Sequence, residues 1–433
     1  MTGEAVTTTD IAALLGLEPL EQSISSGSEH VPELDARVGR RVREARRRSG
    51  LDAAALAQQV GLSRDKLSKI ENGRRRIAPR ELPVLANALH LPLSALLDGA
   101  DTTRPALALA HRVAATAADS ATSGARARAI EILQAENRLG RQSELPPRLL
   151  SPGGAAIERL VATTFATTPR TAPEAQRQGR ALAEEVRRVL ELGVAEIGDL
   201  PALVEMHFAA DVALSPLGVG SDGLCAHDGE AALLVINTDY PHGRVRFTLA
   251  HELGHHLLRD PRDVIEEQLA DMFGTSYVER RVNSFAGHLL LPVKAVTTTL
   301  AWLGCDSDDL CAANARGRAA LGYLMLRYGV SLPCALSQVV EARLMTVSTK
   351  TDLVDKLRAG ALVRAAQHLL SECPGPEKTT REQRPPSRMV AAALEAARAG
   401  QIGMNTIAIL LGRPDDEALF DEVMYPETGS STQ

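Results

Sequence analysis

Between Ala36 and Leu97 apolar residues recur three and four apart in short runs, each bounded by turn residues, and this predicts a compact series of amphipathic helices. Ala-rich runs of the same period occupy Arg104–Gly140 and Pro173–Leu192, flanking a Pro-, Gly- and Thr-rich stretch from Pro146 to Pro173. The period then changes. Asp211–Leu214, Gly223–His227 and the apolar run Ala231–Ile236 are short, lie between Gly, Pro and Asp turn signals, and predict strands. They feed a helix over Thr248–Arg259 and a second near Glu279–Leu291 that stops at Pro292. Beyond Leu300 the pattern is helical again, broken by the Pro/Lys/Arg-rich loop Cys373–Pro386. The expected fold class is mainly α with a smaller α+β part.

Composition narrows this. At 433 residues the chain is long enough for two or three domains. Aromatics are only 3%, so Leu, Val, Ile and Ala must build the cores, which favours helix over an all-β sandwich. Cys225, Cys305, Cys311, Cys334 and Cys373 are odd in number, widely spread and free of any CxxC pair; they read as free thiols of a cytoplasmic protein. No apolar run approaches the ~18 residues of a membrane span, so no membrane partner is expected.

Charge is distributed unevenly. Ala36–Arg80 carries 14 Lys+Arg against 4 Asp+Glu, a net of +10, so the overall −6 leaves −16 for the remainder. One basic module inside an acidic chain is the footprint of a segment that meets a polyanion. Within it, Leu56–Gly73 reads as helix, turn and helix. Gly61 suits the left-handed turn, Ser63 the cap of the second helix, and Gly73 its end. Leu56, Val60, Leu62, Leu67 and Ile70 fall on the facing sides, and Ala57 allows a close crossing. An exposed second helix of this kind fits a major groove of double-stranded operator DNA. Arg64, Asp65 and Lys69 are the candidates for base edges. Lys66, Ser68, Asn72, Arg74, Arg75 and the arginines from Arg40 to Arg48 are the candidates for phosphates.

The second constellation is His251-Glu252-x-x-His255. Residues four apart share one helix face, so the two imidazoles can converge on one ion, and Glu252 stands beside them as a general base. Two imidazoles and a carboxylate suit Zn2+ and leave its fourth position open. Spacing alone does not choose the third ligand among Glu266, Glu267, Asp271 and Glu279. His256 is expected at the surface or behind the ligands, His242 in a loop, and His288 in the core. The C-terminal segment Ala397–Leu411 resembles a further helix-turn-helix but lacks a basic face, so packing or dimer formation is expected of it.

Two family resemblances sharpen these readings. Residues 37–98, most clearly Gly61-Leu62-Ser63 and Ile70-Glu71-Asn72-Gly73, resemble the phage-repressor-like (XRE) helix-turn-helix family. They depart from it in having Ala53 and Ala54 where a Gln is usual. Ile236-Asn237, Arg246–His255 and Glu279–Pro292 resemble the ImmA/IrrE family of zinc metallopeptidases. The departures there are Val282 in place of a common Ala and an extra segment around Asp260–Tyr277. This second resemblance implies His251, His255 and Glu279 as metal ligands and Glu252 as the catalytic residue. It also implies a zincin-like α+β metallopeptidase domain and, as substrate, a repressor or partner protein.

The expected organisation is a flexible N-terminal extension (1–35), a five-helix helix-turn-helix domain (36–99), a helical connector (100–179), the metallopeptidase domain (180–300) and a C-terminal helical bundle (301–433). The expected function is a bacterial DNA-binding transcriptional regulator, a homodimer on its operator, that carries a zinc peptidase cleaving a repressor or partner protein. The alternative is a regulator whose zinc domain is a non-catalytic sensor or interaction module.

Overall fold

Capping explains where the first helices begin and end. Of α1 (Val31–Arg48), α2 (Ala53–Gln59), α3 (Arg64–Glu71) and α4 (Glu81–Ala88), α2 starts where Asp52 accepts from the Ala54 amide at 3.0 Å, and α3 where Ser63 accepts from the Lys66 amide at 3.3 Å. Gly61 and Gly73 both take positive φ, +69° and +65°, at the turns that close α2 and α3. Val38, Val42, Leu56, Ala57, Leu67, Ile70 and Leu85 form a shared core, while Val60 and Leu62 are only half-buried against it. Arg46 adds a two-pronged ion pair to Glu71 at 2.6 and 3.0 Å, tying α1 to α3.

The computed structural model describes residues 31–48, 52–78, 80–89, 96, 124–143, 145–218, 220–227, 232–259, 264–267, 276–369, 383–413 and 419. It separates into two units, Met1–Arg104 and Pro105–Gln433. The N-terminal extension lies outside the described residues up to residue 30, and α1 begins at Val31, five residues before the expected start. Of the residues after Leu89 in the first unit, where the expected fifth helix would fall, only Leu96 is described.

The second unit is built on four strands, β1 (Asp211–Ser215), β2 (Gly223–His227), β3 (Ala232–Asn237) and β4 (Val264–Glu267), in the order β1-β3-β2-β4. β1 runs parallel to β3, and β2 is antiparallel to β3 and β4. Helices cover both faces, which is why these strands read as unbroken apolar runs rather than alternating ones. Val212, Leu214, Cys225, Leu234 and Ile236 share a core with α6 (Pro152–Leu160), α7 (Ala172–Val189), α8 (Leu200–His207), α9 (His242–Leu258) and α10 (Tyr277–Leu290). Ala213, Leu224, Ala226, Leu233 and Val235 instead meet α5 (Gly124–Gln142) and two late helices.

Packing departs from the expected segmentation in two places. The expected connector is a structural layer: Ala125, Ala129, Ile132, Leu133 and Leu139 of α5 are fully buried. Arg148 also reaches both Glu136 and Asp211 at 2.8 Å. The core likewise runs past residue 300. Helices α11 (Val293–Trp302), α12 (Ser307–Ala312), α13 (Ala315–Tyr328), α14 (Leu332–Glu341), α15 (Val347–Lys356) and α16 (Ala359–Ala366) contribute Leu300, Leu310, Leu321, Leu336, Leu353 and Leu362 to the core that holds α9. Finally α17 (Ser387–Arg398) and α18 (Met404–Leu411) pack with α5, and the Arg384 backbone pairs with Leu214 on the edge of β1. The apolar Ala397–Leu411 segment thus spends its apolar face on α5. Cys373 and most of the Cys373–Pro386 loop lie outside the described residues.

Candidate metal centre and nucleic-acid face

α9 is buried along most of its length, from Val245 to Leu257 with Phe247 half-covered, and ends at Arg259 in the left-handed conformation. At Gly254, α10 approaches closely. A Cβ there would lie 3.0 Å from Phe285 Cδ1 and would run into Val282. Ser276 caps α10 by accepting from the Glu279 amide at 3.1 Å, which fixes Glu279 in the first turn. Across α10, Gly179 of α7 is equally tight: a Cβ there would sit 2.8 Å from the Phe285 amide nitrogen. Two glycines therefore set the depth at which α10 lies.

This packing delivers three donor atoms to one point. His251 Nε2 and His255 Nε2 are 3.1 Å apart, and Glu279 Oε2 is 3.3 Å from the first and 3.5 Å from the second. Among the described residues this is the group whose ligand atoms could hold a metal ion. Tetrahedral donors at roughly 2.0–2.1 Å from zinc stand about 3.3 Å from one another, so the donor triangle has the edge length that ion requires. Burial pushes the Glu279 carboxyl up, but the two imidazoles beside it, His251 and His255, outweigh burial and hold it well below the usual carboxylate range. On the far side of the His251 ring, Nδ1 meets Asn283 Oδ1 at 3.0 Å. Nothing in the sequence reading gave Asn283 a role, although its place four residues after Glu279 puts both on one face of α10.

Glu252 is fully buried against β2: a Cβ on Gly223 would lie 3.0 Å from Glu252 Oε1 and 2.9 Å from Thr248 Cγ2. Glu266 and Glu267 fall on β4, their side chains outside the described residues, and Asp271 lies outside them altogether. His256 is buried rather than exposed. Its ring donates from Nε2 to the Phe208 carbonyl at 2.8 Å, and burial pushes its pKa down to about 4, so it is a neutral strut between α9 and the end of α8. His242 is the first residue of α9, half-buried, and His288 is a core histidine whose Nδ1 meets the Ser284 carbonyl at 2.8 Å. Arg246 anchors α9 from within, donating to the carbonyls of Gly198 at 3.0 Å and Ile197 at 2.5 Å.

In the first unit, Arg64, Asp65, Lys66, Ser68, Lys69, Asn72 and Arg74 are all exposed. Asp65 and Lys69, one turn apart, form an ion pair at 2.7 Å with each side chain more than half exposed. Asn72 donates to the Ser68 carbonyl at 2.8 Å and accepts from Arg43 at 3.5 Å. Arg75 is different: it is half-buried and gripped by Glu81 at 2.8 and 3.0 Å. Of the arginines in α1, Arg40 and Arg43 are exposed, whereas Arg46 holds Glu71 and Arg41 donates to the Leu96 carbonyl at 2.8 Å.

A compact helix-turn-helix unit, and a mixed sheet whose HExxH helix faces a glutamate-bearing helix, define the class of protein. Residues 37–98 match the model of a helix-turn-helix domain, and residues 208–336 match that of the IrrE N-terminal-like domain. The first match lies within the first unit and the second within the second unit. It is also similar to a Rhodospirillum rubrum protein described as an uncharacterized transcriptional regulator in the ATPase CF(0) region. The two are 38% identical over 68 residues, which is 16% of this chain and 63% of the relative. The second match begins 28 residues after the expected start at 180 and continues to 336, in keeping with a core that includes α13 and α14.

Proposed function

We propose that this chain is a transcriptional regulator that binds double-stranded operator DNA through α3 and cleaves a repressor or partner protein at the His251–His255–Glu279 site. The observation that carries the second half is the convergence of three buried donor atoms within hydrogen-bond range of one another, two of them on the helix that also carries the buried Glu252. The +10 charge of Ala36–Arg80 and the exposed polar face of α3 support the first half, as does the similarity to the Rhodospirillum rubrum transcriptional regulator.

His251, His255 and Glu279 would hold Zn2+, which when bound supplies Lewis-acid polarisation of a peptide carbonyl. Glu252 takes the proton of the attacking water and passes it to the leaving amine, so that one peptide bond and one O–H bond break while a carboxyl and an amine form. Packing of α9 between the sheet and α10 shields these groups from bulk solvent and strengthens their mutual interactions. We place the protein in the cytoplasm and as a homodimer on paired half-sites, the usual arrangement for such DNA-binding modules. Among the described residues, no single helix is long and apolar enough to cross a membrane.

One observation favours a non-catalytic zinc module: His251, Glu252 and His255 are each no more than 1% exposed, which leaves a substrate little access in this conformation. Incubating zinc-loaded protein with repressors encoded beside its own gene separates the readings. Cleavage by the native protein and none by Glu252→Gln supports the peptidase. Cleavage that survives Glu252→Gln contradicts it, and zinc binding without cleavage by either form favours the sensor.

A further inference from the structure

α10 offers two side chains to the imidazoles of α9. Glu279 meets both Nε2 atoms, and Asn283, one turn later, meets the opposite nitrogen of His251. A carboxamide oxygen carries lone pairs and no proton, so at 3.0 Å the hydrogen of this bond must sit on His251 Nδ1. In a neutral ring that leaves Nε2 unprotonated, with its lone pair aimed at His255 and Glu279. The other tautomer would point an N–H at the same place and exclude a cation.

We infer that Asn283 is a positioning residue for the metal ligand His251, fixing both its tautomer and the plane of its ring. This rests on reading His251, His255 and Glu279 as a metal site. Three features support it. His251 is fully buried, so bulk water does not substitute for the missing acceptor. Asn283 follows Val282, the residue that meets Gly254, so the contact that sets the spacing of α9 and α10 also sets the reach of the amide. The charge balance favours an amide over a carboxylate: Glu252 and Glu279 already bring two acidic side chains into the pocket, and a third buried charge would add a further desolvation cost. A neutral oxygen orients the ring without that cost.

The test uses the full-length protein with zinc as the probe, its affinity measured by competition with a chromophoric chelator. Asn283→Leu keeps the volume and removes the acceptor; Asn283→Asp keeps the acceptor. The expected result is a loss of roughly 10- to 100-fold in zinc affinity for the leucine variant and a change of no more than about threefold, or a gain, for the aspartate. Nitrogen-15 spectra of metal-free protein labelled in histidine should show His251 protonated on Nδ1 in the native chain, with that signature lost in Asn283→Leu. Equal zinc affinity of native and leucine proteins, failure of aspartate to rescue, or a native His251 protonated on Nε2 would each overturn the inference. If the native chain takes up no zinc, the metal reading fails, and the tautomer spectrum still decides whether Asn283 orients the ring.

Discussion

Replacing Gly254 by alanine asks whether the close approach of α9 and α10 is what assembles the site. Alanine is the better helix former by about 1 kcal/mol in a helix interior, so on propensity alone the variant should gain stability. Against this, the new methyl would collide with Val282 and lie 3.0 Å from Phe285 Cδ1 in a closely packed core. Overpacking of that kind costs roughly 1–3 kcal/mol. The net for Gly254→Ala is therefore a loss of up to about 2 kcal/mol, together with weaker zinc binding as α10 and Glu279 are pushed back. Val282→Ala alone removes two methyl groups from a fully buried position and should cost about 1.5 kcal/mol or more. In the double variant the new methyl occupies the space that Val282 gives up, so the two losses should not add; the coupling energy should be about 1–3 kcal/mol in the favourable direction. Urea unfolding of the four metal-free proteins measures the cycle, and chelator competition measures zinc. Strict additivity, or a Gly254→Ala protein with native zinc affinity, would refute the idea that this contact positions Glu279.

With a folded pKa of about 4 against an unfolded value near 6.5, His256 contributes stability that is fully present above pH ~6.5 and lost as pH falls toward 4, by about 3 kcal/mol. His256→Gln keeps a side-chain donor and should flatten that part of the pH–stability curve, so parallel curves for the two proteins would count against the strut. Arg64→Ala or Lys69→Ala should cost about 1–3 kcal/mol of operator binding and relax specificity at one base pair, with little change in unfolding midpoint because both side chains are exposed. Arg74→Ala should lower the salt slope of DNA binding by about 0.9. Arg75→Ala, which frees Glu81, should lower the stability of the first unit and leave the slope unchanged; reversed effects of the two would show that Glu81 releases Arg75 to the DNA.

The legible parts of this fold were those in which local chemistry and pattern agree. Gly61, Ser63 and Gly73 marked the turns of the first unit because positive φ and capping are properties of single residues. The run Ala231–Ile236 marked β3 because a strand covered on both faces is apolar throughout. Less visible were features that depend on what the far end of the chain covers. Nothing local in α5 says that its Ala face will meet β3, or that Arg388, late in the sequence, will share Glu136 and Asp211 with Arg148 at 2.5–2.8 Å. The same holds within the site. His251 and His255 follow from helical spacing, whereas spacing left the third ligand open among four acids. It is the closeness of Gly254 and Val282 that brings Glu279 against the two imidazoles, and Asn283 against that of His251. Burial of His256 was likewise invisible, because its partner is the backbone carbonyl of Phe208, contributed by the end of another helix.

Zinc content by mass spectrometry of the dialysed native, His251→Ala and Glu279→Ala proteins decides whether side chains from α9 and α10 share one divalent ion. One zinc per native chain and almost none in either variant is expected, with all three proteins folded by circular dichroism. A native chain that retains no zinc, or variants that retain as much as the native one, would contradict a shared ion.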